Sequence, residues 1–348
     1  MPASQSEFFK TNLQIWNNTI NNRKMPWKGE KNPYYIWLSE IILQQTRVEQ
    51  GWDYYLKFIN LFPTVEDLAN AKQDDVLKAW EGLGYYSRAR NLHYAAQQIV
   101  NQFGGDFPAS KEALLTLKGV GDYTASAIAS FAFNLPHAVV DGNVIRILSR
   151  FFGIDTPFDI AKGKKIFADF ALKCLDINNP ALHNQAIMDF GALVCTPKNP
   201  SCSNCILNEK CTGYQNNLTD TLPVKSKKII KKNRNFLFLD IEYNGARYIE
   251  QRLENDIWKN LYQFPLIEEK FSNNEMMESL IQQKIGTSDF TVVEKYSGFR
   301  QTLTHQKIEA SFVKLIVNKS LKSNFIEVKP DNLYKFAFPK LINLYIKK

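Results

Sequence analysis

The chain has 348 residues, of which 45% are hydrophobic, and its formal net charge of +8 gives an isoelectric point near 9.0. This length exceeds what one hydrophobic core usually fills, so we expect several domains, and the basic excess favours a polyanionic partner. The N-terminal residues lack the charged and apolar regions of a secretion signal, and no apolar run reaches the roughly 18 residues of a membrane span. These features argue against secreted and membrane-spanning proteins and predict a cytoplasmic one.

The first predicted region, from about residue 5 to residue 212, is all-α. Apolar residues recur there at helical spacing and are interrupted by glycine and proline. Asn32 and Pro33 have the residue types of a helix cap and first helical position, ahead of "YYIWLSEIILQQ". The segment "AKQDDVLKAWEGLG" ends on Gly82 and Gly84, as helices commonly do.

Within this region Glu40 is a candidate general acid. On a helix its carboxyl would lie between Trp37 on one side and Ile36 and Leu43 on the other. Burial among apolar groups would raise its pKa and keep it protonated near neutral pH. The alternative is a glutamate that reaches a surface arginine.

The segment "LKGVGDYTA", residues 117–125, predicts two helices joined by a glycine-rich hairpin. We expect the backbone N–H groups of Val120 and Gly121 and the first turn of the next helix to point outward, where they can bind one phosphate. The alternative is an ordinary helix corner with Gly119 as its C-cap.

Asp141 is the natural complement of Glu40. In "AVVDGNVIRILSR" it follows an apolar stretch and directly precedes a predicted helix, so its carboxylate would lie at the positive helix end and stay ionised. One neutral acid and one anion are what cleavage through a cationic sugar transition state requires. A purely structural N-cap is the alternative, and the two roles are compatible.

Four of the five cysteines crowd together in a C-x6-C-x2-C-x5-C pattern, which sets Cys174 apart. Four soft thiolates in one loop-like segment form a ligand set, for zinc or for an iron–sulfur cluster. Since four-cysteine zinc sites usually have two C-x2-C pairs and this segment has one, the spacing favours the cluster. Its members are Cys195, Cys202, Cys205 and Cys211.

Residues 213–234 have the composition of a basic linker, which either touches phosphate or is a solvated spacer. Its basic residues are Lys225, Lys227, Lys228, Lys231, Lys232 and Arg234. Beyond it, Asn244 and Gly245 separate two strand-like runs and predict a β-hairpin. Further strands over "TVVEKYSGF" and "TLTHQKIEASFVKLIV" and helices over "NEMMESLIQQKI" and "FPKLINLYIKK" complete a small α+β unit of about residues 233–348.

Taken in order, "SEIILQQTRV", "LKGVGDYTA", "VVDGNVIRILSR" and the four-cysteine spacing closely resemble the MutY-type adenine DNA glycosylases. The resemblance covers essentially the whole chain. It implies a helix–hairpin–helix base-excision repair enzyme with a [4Fe-4S] cluster and a C-terminal MutT-like (Nudix-like) domain. No G-x5-E-x7-R-E box is present, so that domain should not hydrolyse nucleotides.

The implied domains are an N-terminal helix, 1–25, packed with the cluster subdomain; a six-helix barrel, 26–134; the iron–sulfur subdomain, 135–212; the linker, 213–234; and a lesion-recognition domain, 235–348. The implied protein is a bacterial cytoplasmic monomer that binds double-stranded DNA containing adenine opposite 8-oxoguanine or guanine, with no membrane contact. It flips the adenosine out of the duplex before cleaving it.

The resemblance also implies residue roles. Glu40 matches the acid that protonates adenine, and Asp141 matches the carboxylate that stabilises the oxocarbenium sugar. Tyr123 and Asn143 match residues that position these two carboxyl groups. Gln185 matches a residue that contacts the adenine, and Trp27 matches part of the pocket wall. Residues matching the DNA and lesion contacts are Leu43, Gln45, Thr46, Tyr85, Gly119, Val120, Gly121 and Lys198. Lys28 stands where many relatives have arginine.

Tyr123 discriminates between two related activities. Endonuclease III, which shares the hairpin and cluster, carries lysine at this position, and a lysine amine can form a Schiff base with the sugar and cleave the strand. A phenol cannot, so Tyr123 predicts a monofunctional glycosylase rather than a glycosylase/lyase acting on oxidised pyrimidines. A non-catalytic iron–sulfur DNA-binding protein is disfavoured because phosphate binding needs neither Glu40 nor Asp141.

In the C-terminal domain the resemblance places 8-oxoguanine recognition at "QTLTH". Relatives typically read Phe-Ser-His where this chain has Leu303, Thr304 and His305. The threonine hydroxyl can still hydrogen-bond the oxidised base. Without the resemblance, a strand threonine and a surface histidine would be the simpler interpretation.

Overall fold

The computed structural model describes residues 3–226, 230–321 and 324–348. They divide into two compact units, within the bounds Met1–Asn70 and Asn91–Lys227 for the first and Ala71–Arg90 and Lys228–Lys348 for the second. None of the helices in this described part of the chain combines the length and hydropathy that a membrane crossing requires.

The order of elements is helices first, strands later. The α-helices are α1 Ala3–Thr19, α2 Pro33–Leu43, α3 Val48–Leu61, α4 Val65–Asn70, α5 Gln73–Ala79, α6 Ser87–Phe103, α7 Lys111–Leu114, α8 Asp122–Phe133, α9 Gly142–Phe152, α10 Ala161–Cys174, α11 Pro180–Leu193, α12 Thr212–Gln215, α13 Asn274–Ile285 and α14 Lys340–Ile346. The strands are β1 Lys232–Tyr243, β2 Ala246–Gln251, β3 Tyr262–Gln263, β4 Leu266–Ile267, β5 Phe290–Thr302, β6 Gln306–Val317 and β7 Ile326–Val328. The predicted succession of an all-α region and an α+β region is confirmed.

In the first unit, α1 packs on the helices that follow Asp141. Phe9 lies 5.1 Å from Phe151 of α9 between ring centroids, and Trp16 meets Phe190 of α11 edge-on at 5.0 Å. All four rings are buried in a single core cluster. Burial of large aromatic surfaces stabilises this packing and joins the chain's first helix to the cysteine-bearing segment.

The second unit contains a mixed sheet with strand order β3-β2-β1-β6-β5, to which β4 and β7 add at β1 and β2. β1 and β6 are parallel, whereas β5 and β6 form an antiparallel pair. The predicted hairpin is confirmed: Asn244 and Gly245 connect β1 to β2 with φ angles of 47° and 75°. Such paired positive φ values suit a two-residue turn that follows the twist of the strands.

Each face of this sheet carries a helix. Alternate residues of β1, such as Leu239, join α13 residues such as Ile281 in one core. On the other face, Phe312 of β6 stacks on Tyr345 of α14 with ring centroids 4.1 Å apart. Because successive side chains of a strand point to opposite faces, the strands contribute apolar residues to both faces of the sheet. A helix therefore packs on each face.

Residues 71–90 belong to the second unit although they lie within the helical part of the sequence. Tyr262 donates a hydrogen bond to the carboxylate of Asp74 at 2.8 Å, and the Phe338 N–H donates to Glu81 at 2.8 Å. Arg90 donates to the carbonyl of Lys259 at 2.8 Å. Nothing in the sequence pattern indicates this association, because it depends on polar partners more than 160 positions apart.

One predicted strand is interrupted. The segment "TLTHQKIEASFVKLIV" predicts a strand, with Thr304 and His305 on the strand or in its loop, and the structure has the loop: β5 ends at Thr302 and β6 begins at Gln306. Thr302 pairs with Lys307, and the Leu303 N–H donates to the Gln306 carbonyl at 2.8 Å. Antiparallel pairing of the two strands therefore forces residues 303–305 into a tight turn.

Candidate active site

The first unit contains a cavity of about 670 Å³, a volume suited to a small ligand. Its walls come from α2, the start of α8, the start of α9 and one face of α11, together with the loops after α1 and α2. The structure brings nine of the predicted site residues to this cavity: Trp27, Glu40, Leu43, Gln45, Thr46, Tyr123, Asp141, Asn143 and Gln185.

Glu40 lies in the wall of the cavity with only 6% of its surface exposed. It is positioned by α2, whose N-cap Asn32 accepts a hydrogen bond from the Tyr34 N–H as the sequence predicts. The pKa of Glu40 is raised from 4.5 to about 7, mainly by burial and to a smaller extent by the nearby Asp141 carboxylate, while a hydrogen bond with Tyr123 opposes the shift. A carboxyl with this pKa can deliver a proton at neutral pH.

Asp141 caps the N-terminus of α9. Its carboxylate accepts a 2.7 Å hydrogen bond from the Val144 N–H and another 2.7 Å bond from the Asn143 side-chain amide. The pKa of Asp141 lies above its usual value of 3.8, because burial outweighs these donors and the Arg146 guanidinium, which lower it. Because the donors favour its charged form, Asp141 is the better candidate for the anionic partner of the pair.

Tyr123 lies in the first turn of α8 and shares a hydrogen bond with Glu40. Burial, followed by the charges of Glu40 and Asp141, raises the pKa of its phenol well above 10. The hydroxyl therefore stays protonated and can donate to the Glu40 carboxylate. The three groups Glu40, Tyr123 and Asp141 form one electrostatically coupled set.

Arg23 and Lys28 are among the cationic residues that line the cavity. Both reach the carboxylate of Asp189, which is fully buried on α11. Sequence reasoning left Arg23 and Asp189 out and treated Lys28 only as a departure from the usual arginine. The sequence contains one indication of this cluster: Gln185 and Asp189 are four residues apart, which puts an amide and a carboxylate on one helical face.

The glycine-rich hairpin forms as predicted between α7 and α8. Gly119 has φ of +79°, and a Cβ there would come within 2.7 Å of the Asn91 Cβ, so glycine is required. One expectation was wrong: the Val120 N–H donates to the Leu117 carbonyl at 3.1 Å and does not point outward for a phosphate. The chain has to turn back on itself here, and this bond closes the turn. Gly121 is the N-cap of α8.

The four clustered cysteines line one small cavity of about 30 Å³ beside the buried core of the first unit. Arg150 donates to the sulfur of Cys195 at 3.5 Å, and the Cys211 thiol lies 3.6 Å from the Arg150 carbonyl. Their convergence and thiol chemistry fit a thiolate-ligated group. Within the described residues, no three ligating side chains are arranged to hold a metal ion. Lys198, in the loop between the first two cysteines, is exposed.

The remaining predicted contacts lie in the second unit. Thr304 lies in the turn between β5 and β6, and its hydroxyl is 2.6 Å from the hydroxyl of Tyr85. The backbone of Leu303 and the carbonyl of His305 are engaged in local hydrogen bonds, and the His305 side chain is exposed. Tyr85 and the cavity residue Gln45 have positive φ values, 48° and 59°, which side chains rarely adopt outside constrained functional loops.

The basic linker differs from its prediction at its C-terminal end. Lys232 already belongs to β1, and Arg234 is only 9% exposed and pairs with Asp256 at 2.7 Å. Arg234 is therefore committed to internal ion pairs and is not part of a phosphate-binding surface. Lys227 and Lys228 lie outside the described residues.

Comparison with known proteins supports both units. Residues 38–170 match the model of the HhH-GPD superfamily of base excision DNA repair proteins, and residues 237–348 match that of a NUDIX domain. A protein of Buchnera aphidicola subsp. Baizongia pistaciae (strain Bp), called adenine DNA glycosylase, is 35% identical over 91% of this chain and 88% of its own length.

Two solved structures share the fold of the helical part. One, a thermostable thymine-DNA glycosylase, is 28% identical, covers 61% of this chain and 98% of its own, and superposes with a TM-score of 0.57. The other, an endonuclease III in a non-covalent DNA complex, is 18% identical, covers 63% of this chain and 99% of its own, and has a TM-score of 0.55. At that identity, the second likeness supports the fold alone.

Proposed function

We propose that this chain, which belongs to the adenine DNA glycosylase family, excises adenine from DNA by hydrolysing its N-glycosidic bond. The observation that carries the proposal is the coupled set in the cavity: a buried Glu40 with a pKa of about 7, the Tyr123 phenol and the Asp141 carboxylate. The fold accounts for their positions, since each lies on a different helix end or face that opens onto one cavity.

In this mechanism an adenosine flipped out of the duplex occupies the cavity. Protonated Glu40 donates its proton to a ring nitrogen of adenine, which makes the base a better leaving group. Asp141, held by Asn143 and the Val144 N–H, stabilises the positive charge that develops on the sugar. The oxygen of a water molecule then bonds to the sugar carbon that adenine has left, one of the two carboxylates takes the proton that water loses, and an abasic site remains. Because Tyr123 offers no amine, the strand stays intact.

We further propose that the favoured substrate is double-stranded DNA with adenine opposite 8-oxoguanine, with adenine opposite guanine as the second. Tyr85 and Thr304 are hydrogen-bonded to each other in the second unit, and both are predicted lesion contacts with a hydroxyl that could bind an oxidised base. Leu43, Gln45 and Thr46 would fill the space that the flipped adenosine leaves in the duplex. Lys198 and the glycine-rich hairpin would contact the DNA backbone.

The four cysteines would hold a [4Fe-4S] cluster. Thiolates are the ligands of such clusters, and the four thiols line the same cavity here. The bound cluster would supply a rigid cross-link for the loop 196–201, and no step of the hydrolysis passes through it. Acting as a monomer on chromosomal DNA, the enzyme would work in the bacterial cytoplasm.

The decisive experiment is a single-turnover assay with duplexes carrying adenine opposite 8-oxoguanine, adenine opposite guanine, and oxidised thymine opposite adenine. Base release and strand breaks are scored separately. We expect release of adenine from the first two, faster from the first, with breaks only after alkali. The Glu40→Gln variant, with DNA binding measured in parallel, controls for a contaminating glycosylase. Release of oxidised thymine with direct strand cleavage would instead identify an endonuclease III-like activity.

A further inference from the structure

Asp189 lies behind the cavity, on α11, and its carboxylate accepts four hydrogen bonds from the described residues, all of them from side chains. Its surface is 0% exposed, and it is not itself part of the cavity lining. Arg23 and Gln185 donate to Oδ1, both at 3.0 Å, while Asn21 and Lys28 donate to Oδ2 at 2.9 and 2.8 Å. These four donors use the full accepting capacity of a carboxylate.

Three of these donors, Arg23, Lys28 and Gln185, do line the cavity. The Lys28 ammonium has a second acceptor, the Arg23 carbonyl at 3.0 Å, so its position is fixed from two sides. A ligand in the cavity therefore meets side chains whose positions are set by a carboxylate that it does not touch.

The consequence is sharpest for Gln185, because the two ends of its side chain have opposite hydrogen-bonding character. A carboxylate between two cations can only accept, so the Nε2 of Gln185 must face Asp189. The Oε1 atom then points away from Asp189. The amide can thus offer Oε1 as an acceptor to the cavity, which suits a base with an exocyclic amino group better than one with a carbonyl at the same place.

We propose that Asp189 is a specificity-determining positioning residue, which fixes Gln185 with its carbonyl oxygen toward the cavity and thereby selects a 6-aminopurine over a 6-oxopurine. This inference rests on the proposed function. It concerns a residue that contacts neither the base nor the sugar and acts only through Gln185, Arg23 and Lys28.

The test compares single-turnover excision of adenine and of hypoxanthine, each opposite 8-oxoguanine, and takes the ratio of the two rates. In Asp189→Asn, the new side-chain amide can donate to Gln185 Oε1, which reverses the Gln185 amide and presents Nε2 to the base. We expect the adenine-to-hypoxanthine ratio to fall at least about tenfold, the size of one exchanged hydrogen bond. A general loss of packing would slow both reactions without changing the ratio.

Rescue separates orientation from structural damage. Glutamate at position 185 has only acceptor oxygens when ionised, so the double variant Asp189→Asn, Gln185→Glu should recover most of the ratio. Asp176→Asn is the matched control: Asp176 also accepts a hydrogen bond from a distant glutamine amide, Gln14 Nε2 at 2.7 Å, but lies outside the cavity lining. Its ratio should equal that of the wild type.

Because Asp189→Asn leaves two cations without their carboxylate, it is paired with a charge-balanced variant. Asp189→Asn with Lys28→Met keeps the summed charge of residues 23, 28 and 189 at +1. It should show the same fall in the adenine-to-hypoxanthine ratio, and it replaces the single variant in the test if that variant folds poorly. Thermal midpoints monitor folding throughout. A folded variant with an unchanged ratio overturns the inference, as does failure of the glutamate to rescue. A wild type that releases no adenine refutes the proposed function instead.

Discussion

The hydroxyl of Tyr85 lies 2.6 Å from the hydroxyl of Thr304, although the two residues are 219 positions apart in the chain. Tyr85 follows Gly84 with a left-handed backbone, and the Arg88 guanidinium lies 5.5 Å from the centre of its ring. The hydrogen bond holds the two hydroxyls side by side, so a base that meets one of them also meets the other.

If this pair reads the base opposite adenine, removing either hydroxyl should lower the preference for 8-oxoguanine over guanine. We expect Thr304→Val and Tyr85→Phe each to reduce the ratio of single-turnover excision rates on the two duplexes by roughly tenfold. Because both changes break the same bond, the double variant should lose little more than either single one. Tyr94→Phe, which removes another exposed tyrosine hydroxyl, is the control.

Deletion of the second domain is a less direct test of lesion reading than these point variants. A fragment that ends near Pro223 would lose the partners of residues 71–90, such as Tyr262 for Asp74. Thr304→Ala with His305→Ala removes the proposed reading groups and keeps that packing. An unchanged 8-oxoguanine-to-guanine ratio in this variant at matched salt would show that the turn does not read the lesion.

The sequence predicted those parts of the molecule that local chemistry determines. Asn32 and Asp141 cap helices, Asn244 and Gly245 form a hairpin, and Gly119 bends the chain where the pattern requires it. In each case a residue type prefers a backbone conformation or a hydrogen bond within four positions of itself. Such preferences operate before any tertiary contact exists.

What the sequence did not reveal depends on burial and on distant partners. Asp189 has the appearance of any helical aspartate until Arg23 and Lys28, more than 160 positions earlier, close around it. Val120 is a different case, because its bond to Leu117 is local, but the glycine motif does not show which N–H groups the turn uses. The interruption at residues 303–305 follows from strand pairing, whereas residue propensities alone favour a continuous strand.

The raised pKa of Glu40 predicts a pH dependence of both activity and stability. As a general acid Glu40 acts when protonated, so the excision rate should fall as the pH rises through about 7. The folded protein also holds this proton more tightly than the unfolded chain. Its stabilising contribution is complete below pH 4.5 and is lost as the pH rises through 7, by about 3 kcal/mol at most.

Glu40→Gln isolates this contribution, because glutamine keeps the shape and cannot titrate. Its excision rate should drop by several orders of magnitude while DNA binding is kept. Its thermal midpoint should fall less than that of the wild type between pH 5 and 8.5, measured in parallel by circular dichroism. Equal pH dependence of the two midpoints would mean that Glu40 titrates normally in the folded protein.

The glycine-rich hairpin offers a test with a control two residues away. Gly119→Ala forces a side chain into a left-handed backbone and against the Asn91 Cβ, which should cost about 1–3 kcal/mol of stability and weaken DNA binding. At Gly121 φ is −95° and a Cβ would meet nothing within 4 Å, so Gly121→Ala should be nearly neutral for folding. Urea unfolding and binding to undamaged duplex measure both effects.

The cysteine cluster can be tested against the fifth cysteine of the same chain. Serine at Cys202 or Cys205 should abolish bound iron and the brown colour of anaerobically purified protein, and it should expose residues 195–211 to protease. Cys174 is fully buried but lies outside the small cavity, so Cys174→Ser should keep its iron. Zinc in place of iron in the purified wild type would refute the cluster.

Tyr123 affects the pKa of Glu40 and also determines whether the DNA strand is cleaved, and two variants should separate these effects. Tyr123→Phe removes the hydrogen bond that lowers the pKa of Glu40, so the alkaline limb of the rate profile should move to higher pH while strands remain intact. Tyr123→Lys supplies an amine beside the sugar, which can form a Schiff base with the abasic product and open a route to strand cleavage. Borohydride trapping should therefore yield a covalent DNA adduct with the lysine variant and little or none with the wild type or the phenylalanine variant. Efficient trapping of the wild type would show that another amine reaches the sugar, and that Tyr123 does not decide the outcome of the reaction.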